Sequence, residues 1–251
     1  MIRGLYTSGS GMLAAQAQSE IIGDNIANIN TPGYKTEYGS ASVFPTELME
    51  RIGDSEGENA KVTPLGAIGS GVVVNRTSRI NIQGTLQNTS KATDLALNTP
   101  GFFVVQTNEG VRFTRNGQFQ LNSSGVLQTG DGHAVLGENG LIGADNPLSQ
   151  QFVVDSDGTV RDVGKVIDRL RIMEIPETAL EREGQSLYSA SQAAKATTIN
   201  VQQGAFETSN VDAGAQMVRM ITVMRAYEAN QKVIQTQDTI LEKAVNEVGK
   251  L

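Results

Sequence analysis

Each end of this chain carries a line of apolar residues at helical spacing, and neither end holds the residues that would cover it. At the N-terminus, Leu5, Ser8, Met12, Ala15, Ser19, Ile22, Ile26 and Ile29 fall three or four positions apart, the spacing that lines one side of an α-helix. At the C-terminus, Ala213, Met217, Met220, Met224, Tyr227, Gln231, Ile234, Asp238, Leu241, Val245 and Val248 repeat the pattern over a longer stretch. A second stripe there, Val223, Ala226, Val233, Ile240 and Ala244, makes the apolar face wider than a two-helix contact needs. An ordinary amphipathic helix lying on its own domain's core would also show one such face.

Local signals bound both segments. Gly4, Gly9 and Gly11 each weaken the first helix by roughly 1 kcal/mol relative to Ala. Asn30-Thr31-Pro32-Gly33 should stop it, because proline removes a backbone donor and disfavours helical geometry just before itself. Ser209-Asn210-Val211-Asp212 resembles a capping box, with Ser209 as the N-cap and Asp212 near the positive helix end.

Between the ends the pattern changes to short apolar or alternating runs separated by turns that finish in glycine: Asn108-Glu109-Gly110, Ser123-Ser124-Gly125, Gly130-Asp131-Gly132, Glu138-Asn139-Gly140 and Asp157-Gly158. Such punctuation predicts antiparallel hairpins, with strands over 102–106, 112–114, 118–121, 126–128, 152–154, 159–162 and 168–174. Residues 35–71 lack firm periodicity and read as an extended connector, with a short helical candidate over 46–52 and a glycine-rich joint over 66–71. The expected fold class is α+β. A discontinuous helical domain (1–34 plus 209–251), forming a coiled coil, flanks a mainly antiparallel β-rich middle domain with its return linker (72–208).

Composition narrows the chemistry. The 251 residues include no Cys, no Trp and one His, so thiolate metal sites, disulfides and a His-based metal cluster are not expected. The net charge of −7 argues against nucleic acid, which selects a surplus of Lys and Arg. That charge is unevenly placed. Residues 1–36 balance Arg3 and Lys35 against Glu20 and Asp24, and residues 211–251 balance five basic groups against five acidic ones, so the whole surplus lies in 37–210. Neutral ends suit segments that crowd together in many copies, where like charges would repel. No apolar run reaches the roughly 18 residues of a membrane-spanning helix, and no signal peptide is recognisable, so membrane insertion is not expected.

Local motifs offer little for catalysis. Asp155-Ser156-Asp157-Gly158 begins like a calcium loop, but an EF-hand places its glycine sixth and a glutamate twelfth, and here the glycine is fourth. Gly66-Ala67-Ile68-Gly69-Ser70-Gly71 reverses a dinucleotide fingerprint and has no helix or P-loop lysine after it. His133 has no ligand set nearby in sequence. Neither a cofactor nor an enzymatic activity is expected.

Three segments together bring a family into view. Asn25-Ile26-Ala27-Asn28-Ile29-Asn30-Thr31-Pro32-Gly33-Tyr34-Lys35 resembles the N-terminal signature of flagellar rod and hook proteins. Glu207-Thr208-Ser209-Asn210-Val211, followed by Arg225-Ala226-Tyr227-Glu228-Ala229-Asn230, is similar to their C-terminal signature. Phe102-Phe103-Val104-Val105 with Phe113-Thr114-Arg115-Asn116-Gly117 resembles their middle β domain. The resemblance implies a bacterial flagellar basal-body protein exported by the flagellar type III apparatus without a cleaved signal. It implies homo-oligomeric assembly into a helical tube with other rod and hook proteins as neighbours, the terminal helices inside and the β domain outside. A distal rod subunit fits best, with a proximal rod subunit as the alternative. A hook protein usually carries a further outer domain. On that resemblance Asn28, Thr31, Pro32 and Gly33 turn the chain out of the tube and Asn210 and Asp212 start the returning helix, within a motif that also includes Tyr34, Ser209, Val211, Arg225, Tyr227 and Glu228. The expected assembly interface is Leu5, Met12, Ala15, Ile22, Ile26 and Ile29 with Met217, Met220, Met224, Tyr227, Ile234, Leu241 and Val245. A soluble ligand-binding β module is the reading of another class.

Overall fold

The computed structural model describes residues 2–44, 47–52, 62–69, 71–79, 82–176, 179–184, 186–191, 195–196 and 199–248. They divide into two compact units, one formed by Met1–Ile26, Glu37–Ser78 and Ala213–Leu251 and the other by Ala27–Thr36 and Arg79–Asp212. The architecture is α+β, with a helix at each end and antiparallel sheet between.

In the first unit, helix α1 covers Ile2–Ala27 and helix α2 covers Ala213–Lys243, closing in a π-helical turn over Ala244–Val248. At 1.5 Å per residue α2 is about 46 Å long. Two of the glycines in α1 are sites of contact. A Cβ on Gly4 would lie 3.1 Å from the Gln237 amide, and one on Gly11 would lie 2.9 Å from the Asn230 amide. Helix α2 starts later than the capping pattern predicts. Ala213 is its first residue, which puts Asp212 in the N-cap position, while the Ser209 hydroxyl accepts a hydrogen bond from the Val211 amide in the preceding turn.

Within the stretch expected as an extended connector, the described residues include paired strands. Strand β1 (Glu37–Val43) pairs with β4 (Val72–Arg79), and β2 (Glu47–Ile52) pairs antiparallel with β3 (Val62–Ile68). The helical candidate over 46–52 is therefore a strand from Glu47 to Ile52, and Gly66, Ala67 and Ile68 belong to β3 rather than to a joint. The backbone partner supplies the hydrogen bonds that a seven-residue helix would have lacked, and cross-strand pairing overrides the local preference. A bulge between Met49 and Glu50 absorbs the mismatch in register. The Gly71 carbonyl accepts the Phe44 amide, and the Ser10 hydroxyl of α1 accepts the Val72 amide.

The second unit is built from short strands. Strands β5 (Leu86–Asn88), β6 (Leu95–Leu97), β7 (Phe102–Thr107), β8 (Gly110–Thr114) and β9 (Phe119–Leu121) are followed by β10 (Leu127–Thr129), β11 (Ala134–Val135), β12 (Val153–Val154), β13 (Thr159–Asp162) and β14 (Lys165–Arg169). Then come β15 (Ile172–Glu174), β16 (Leu180–Glu183), β17 (Leu187–Ala190), β18 (Lys195–Ala196), β19 (Val201–Gln203) and β20 (Ala205–Glu207). The main sheet runs β16-β17-β8-β7-β11-β10-β9, with β15 bridging β7 and β18. The run expected as one strand over 168–174 is broken at Leu170-Arg171 into β14 and β15. Strand β7 explains the placing of the core. All of Phe102, Phe103, Val104 and Val105 are buried, so the sheet is covered on both faces there. Alternation sends Phe103 and Val105 into the main cluster with Leu95, Leu127, Phe152 and Val160. Phe102 faces a smaller cluster with Leu180 and Tyr188. The Asp155–Gly158 segment is a hairpin turn. Gly158 has φ of 83°, its amide donates to the Asp155 carbonyl, and Asp157 accepts from the Thr159 amide and hydroxyl.

Backbone contact inside this unit is tight at Gly117, where a Cβ would sit 1.6 Å from the Leu95 carbonyl oxygen. Gly117→Ala is therefore expected to lower the unfolding free energy of the β unit by about 1–3 kcal/mol, the usual penalty of overpacking. Urea titration followed by far-UV circular dichroism checks this; an unchanged midpoint would contradict the contact.

Candidate assembly interface

The signature segments of the two ends meet in a buried ionic clasp within the β unit. Its centre is Glu207, at the end of β20, whose side chain is only 1% exposed. One carboxylate oxygen accepts the Lys35 ammonium and the Gly84 amide, the latter at 2.7 Å. The other accepts Nε of Arg115 at 2.7 Å. The Arg115 guanidinium spends its remaining donors on the Thr99 carbonyl at 2.9 Å and on the Gly101 and Leu97 carbonyls. The Lys35 ammonium also donates to the Ile82 carbonyl at 2.8 Å. Two cations and one anion thus share a site closed to water, and every charged group has backbone partners to replace hydration.

Around this centre the motif residues take specific places. The Asn210 side-chain oxygen accepts from both the amide and the hydroxyl of Thr36, at 2.8 and 2.7 Å, while its amide donates to the Ile82 carbonyl at 3.0 Å. The Gly33 amide donates to the Glu207 carbonyl. Gly33 has φ of 69°, and a Cβ there would lie 2.4 Å from the Arg115 backbone, so glycine is required twice over. Tyr34 is buried, with the Arg182 guanidinium 4.9 Å from its ring centroid. Asn28 and Thr31 form the turn after α1, joined by a side-chain hydrogen bond at 3.1 Å and a backbone bond from the Thr31 amide. Pro32 and Val211 are half-buried beside these groups. In the helical unit, the buried Asn25 bonds both ways to the Glu37 backbone, at 2.8 and 2.9 Å, fixing the end of α1 to the start of β1. Sequence reading gave Asn25, Lys35, Arg115 and Glu207 no task. The usable signal was the presence of charged residues directly beside turn residues in all three signature segments.

The helical positions separate into two groups. On α1 the expected seam is the covered one: Ser8, Ala15 and Ile22 are buried, and Leu5, Met12, Ser19 and Ile26 half-buried. Ile29 lies beyond the helix, in the turn. On α2 the least exposed residues are Gln216, Met220, Val223, Asn230, Ile234, Gln237 and Leu241, and Tyr227, 38% exposed, falls on the same line, whose members alternate four and three residues apart. It shares Met220, Tyr227, Ile234 and Leu241 with the expected seam. Met217, Met224 and Val245 instead lie on the outside, 55%, 56% and 71% exposed. The phase differs because long amides, not methionines, oppose the glycines of α1: Gln237 reaches Gly4 and Asn230 reaches Gly11. Arg225 and Glu228 are exposed. Two open grooves run along the α1–α2 pair, one of about 690 Å³ lined by Leu5, Tyr6, Leu13, Phe44 and Tyr227, the other of about 640 Å³ lined by Ala15, Glu20, Met224, Tyr227 and Glu228. No helix among the described residues is long and apolar enough to cross a membrane.

These features define a chain whose two termini make one helical unit while its middle makes a separate antiparallel β unit, the two signatures being joined through a buried clasp. Three family models match it: flagella basal body rod protein over residues 5–35, flagellar hook protein FlgE/F/G D1 domain over 96–162, and flagellar basal body rod FlgEFG protein C-terminal over 202–247. The chain is 33% identical to the flagellar hook-basal body complex protein FlhO of Bacillus subtilis, with 100% of both chains covered. It is 32% identical to the flagellar basal-body rod protein FlgG of the same species, covering 98% of this chain and 99% of that one. It is 35% identical to FlgG of Buchnera aphidicola subsp. Schizaphis graminum, covering 97% and 98%. The chain belongs to the flagellar basal-body rod protein family.

Burial holds the Lys35 ammonium below the usual lysine range, with the Glu207 carboxylate opposing that shift. A lysine whose folded-state pKa is depressed subtracts stability at neutral pH, and the deficit fades as pH rises from the folded pKa towards 10.5. The favourable member of the clasp is therefore Glu207, whose loss strands two buried cations. Glu207→Gln is expected to destabilise the β unit by about 3–5 kcal/mol, and Lys35→Met by clearly less. Chemical denaturation of the two variants at pH 7 decides the order, and a Lys35→Met cost equal to or above that of Glu207→Gln would contradict this assignment.

Proposed function

We propose that this chain is a structural subunit of the flagellar basal-body rod, in the distal part, and that it polymerises through its terminal helices into a tube that carries torque to the hook. It performs no catalysis in this reading, and its neighbours are copies of itself, other rod and hook proteins and, before assembly, the flagellar type III export apparatus. A proximal rod position is the alternative.

The observation that carries this reading is the row of large apolar side chains left outside on α2. Met217, Val218, Ile221 and Met224 occupy two successive turns and are all more than half exposed. Burying such a side chain against a neighbour contributes about 1.5–3 kcal/mol. Repeated over several positions and several neighbours, that term closes the helices into a tight wall, and tight packing is what makes a tube stiff in torsion. The helical segments carry no net charge, so adding copies does not accumulate repulsion. The relatives' names place them in the basal-body rod and hook-basal body complex.

Met224→Asp tests this because the position is exposed in the single chain and its change spares the monomer. Cells carrying the variant are expected to be non-motile and to lack completed rods by electron microscopy, while the purified variant keeps the wild-type thermal unfolding of its β unit. Normal rods built from Met224→Asp protein would overturn the proposal. In the purified wild-type monomer, both helical ends should be cleaved by protease well before residues 79–212.

A further inference from the structure

The groove of about 640 Å³ between α1 and α2 has a definite chemical character. Its walls are Ala15 and Ser19 on one side and Met224 and Tyr227 on the other, and its two charged members are Glu20 and Glu228. Both carboxylates are exposed, and neither makes an ion pair among the described residues; Glu20 only accepts a hydrogen bond from Gln16 at 3.2 Å. No cation lines this groove. The outward face of α2 has the opposite character. At 100° per residue, Val218, Ile221, Arg225 and Lys232 project from the side of α2 away from its covered line. Arg225 and Lys232 are exposed and form no ion pair within the chain among the described residues. They stand seven residues apart, about 10 Å along the helix.

We propose, on the reading that this chain self-assembles, that the groove receives the outward face of α2 from a second copy. Val218 and Ile221 of the incoming helix pack against Met224 and Tyr227, and its Arg225 and Lys232 pair with Glu20 and Glu228 of the receiving copy. The contact is heterologous, since groove and ridge are different surfaces of one chain, so it propagates into an open helical array instead of closing a dimer. The apolar part supplies affinity. The charge pattern fixes which part of the neighbouring helix enters, because a shifted helix would leave carboxylates unpaired in a partly dried groove or set charges of like sign together. None of the four charges forms an ion pair among the described residues, although Glu228 stands one turn from both Arg225 and Lys232, and this docking gives each of the four a partner in the neighbouring copy.

Charge exchange in the full-length protein tests the assignment. Four forms are compared: wild type, Arg225→Glu with Lys232→Glu, Glu20→Arg with Glu228→Arg, and all four changes together. Circular dichroism of each monomer first checks that helix content is retained. The sedimenting polymer fraction at fixed concentration is then expected to fall by about tenfold or more in each two-site variant, as like charges meet across the contact, and to return in the four-site variant. As a second measurement, the natural absence of cysteine allows Arg225→Cys chains to be mixed with Glu228→Cys chains, and an intermolecular disulfide between them is expected on mild oxidation. Wild-type protein that never sediments would defeat the self-assembly reading itself. Wild type that polymerises alongside two-site variants that polymerise equally well would overturn only the groove assignment. So would folded two-site variants whose loss is not restored by the four-site exchange, or mixed chains that assemble without cross-linking.

Discussion

Glu207 is the residue on which the arrangement of this chain turns. A carboxylate removed from water is stable only where charge and hydrogen bonds replace its hydration, and Glu207 is given Lys35 from the N-terminal signature, Arg115 from the β core and the Gly84 amide. These three donors come from parts of the chain that local interactions could not bring together. Thr36 and Asn210 then close the gap between the outgoing and returning strands by two bonds to one side-chain oxygen. A chain that must send both ends into a helical pair needs its two crossing points held at one place, and an ion cluster does this with strict geometry. A hydrophobic contact of the same size would hold them with less discrimination between alternative partners, since apolar packing has no required direction.

The helical pair follows the opposite logic. Its covered line on α2 interleaves three amides, Gln216, Asn230 and Gln237, with Met220, Val223, Ile234 and Leu241, while Met217, Val218, Ile221 and Met224 stay outside. In a helix meant to fold once and remain buried in its own domain, the apolar residues would take the inner line. Here amides take three of the inner positions, and a second set of large apolar residues is left on the flanks. The glycines at positions 4 and 11 fit this scheme. They lower the intrinsic helix stability and at the same time admit Gln237 and Asn230 at close range, so that register is fixed by shape where it is not fixed by hydrophobic burial.

Much of the architecture was legible in the sequence, and the failures have physical causes. The Gly-terminated turns located the strands around Phe102, Phe119 and Thr159 because tight hairpins are decided by a few local residues. The seam on α1 was also local, and the proline at position 32 marked its end. On α2 periodicity joined the outward Met217 and Met224 to the covered Met220, Ile234 and Leu241 in one line, since it counts apolar residues and cannot see that Gly4 and Gly11 make room for amides. Strand β2 over Glu47–Ile52 was read as helical because its pairing partner, Val62–Ile68, lies across nine polar or small residues, 53–61, a separation longer than a tight-turn signal spans. The ion cluster was invisible for a related reason: Lys35, Arg115 and Glu207 are separated by eighty or more residues each, and only the fold makes them neighbours.

Placing the acidic surplus in residues 37–210 and none in the terminal segments separates two physical demands. The sheet-forming part of the chain must stay soluble and must not associate through its strand edges, and net negative charge serves both ends. In the proposed assembly the helices approach other helices closely, where a net charge repeated on every copy would oppose growth with each addition. Neutrality of the ends is reached by balanced charges, five of each sign from residue 211 onward, and not by their absence. Balanced but spatially separated charges carry direction: they make some approaches of one helix to another favourable and others unfavourable, which an uncharged apolar face cannot do. A chain built this way has its stability decided in the β unit and clasp, and the selectivity of its contacts decided on the outside of its helices.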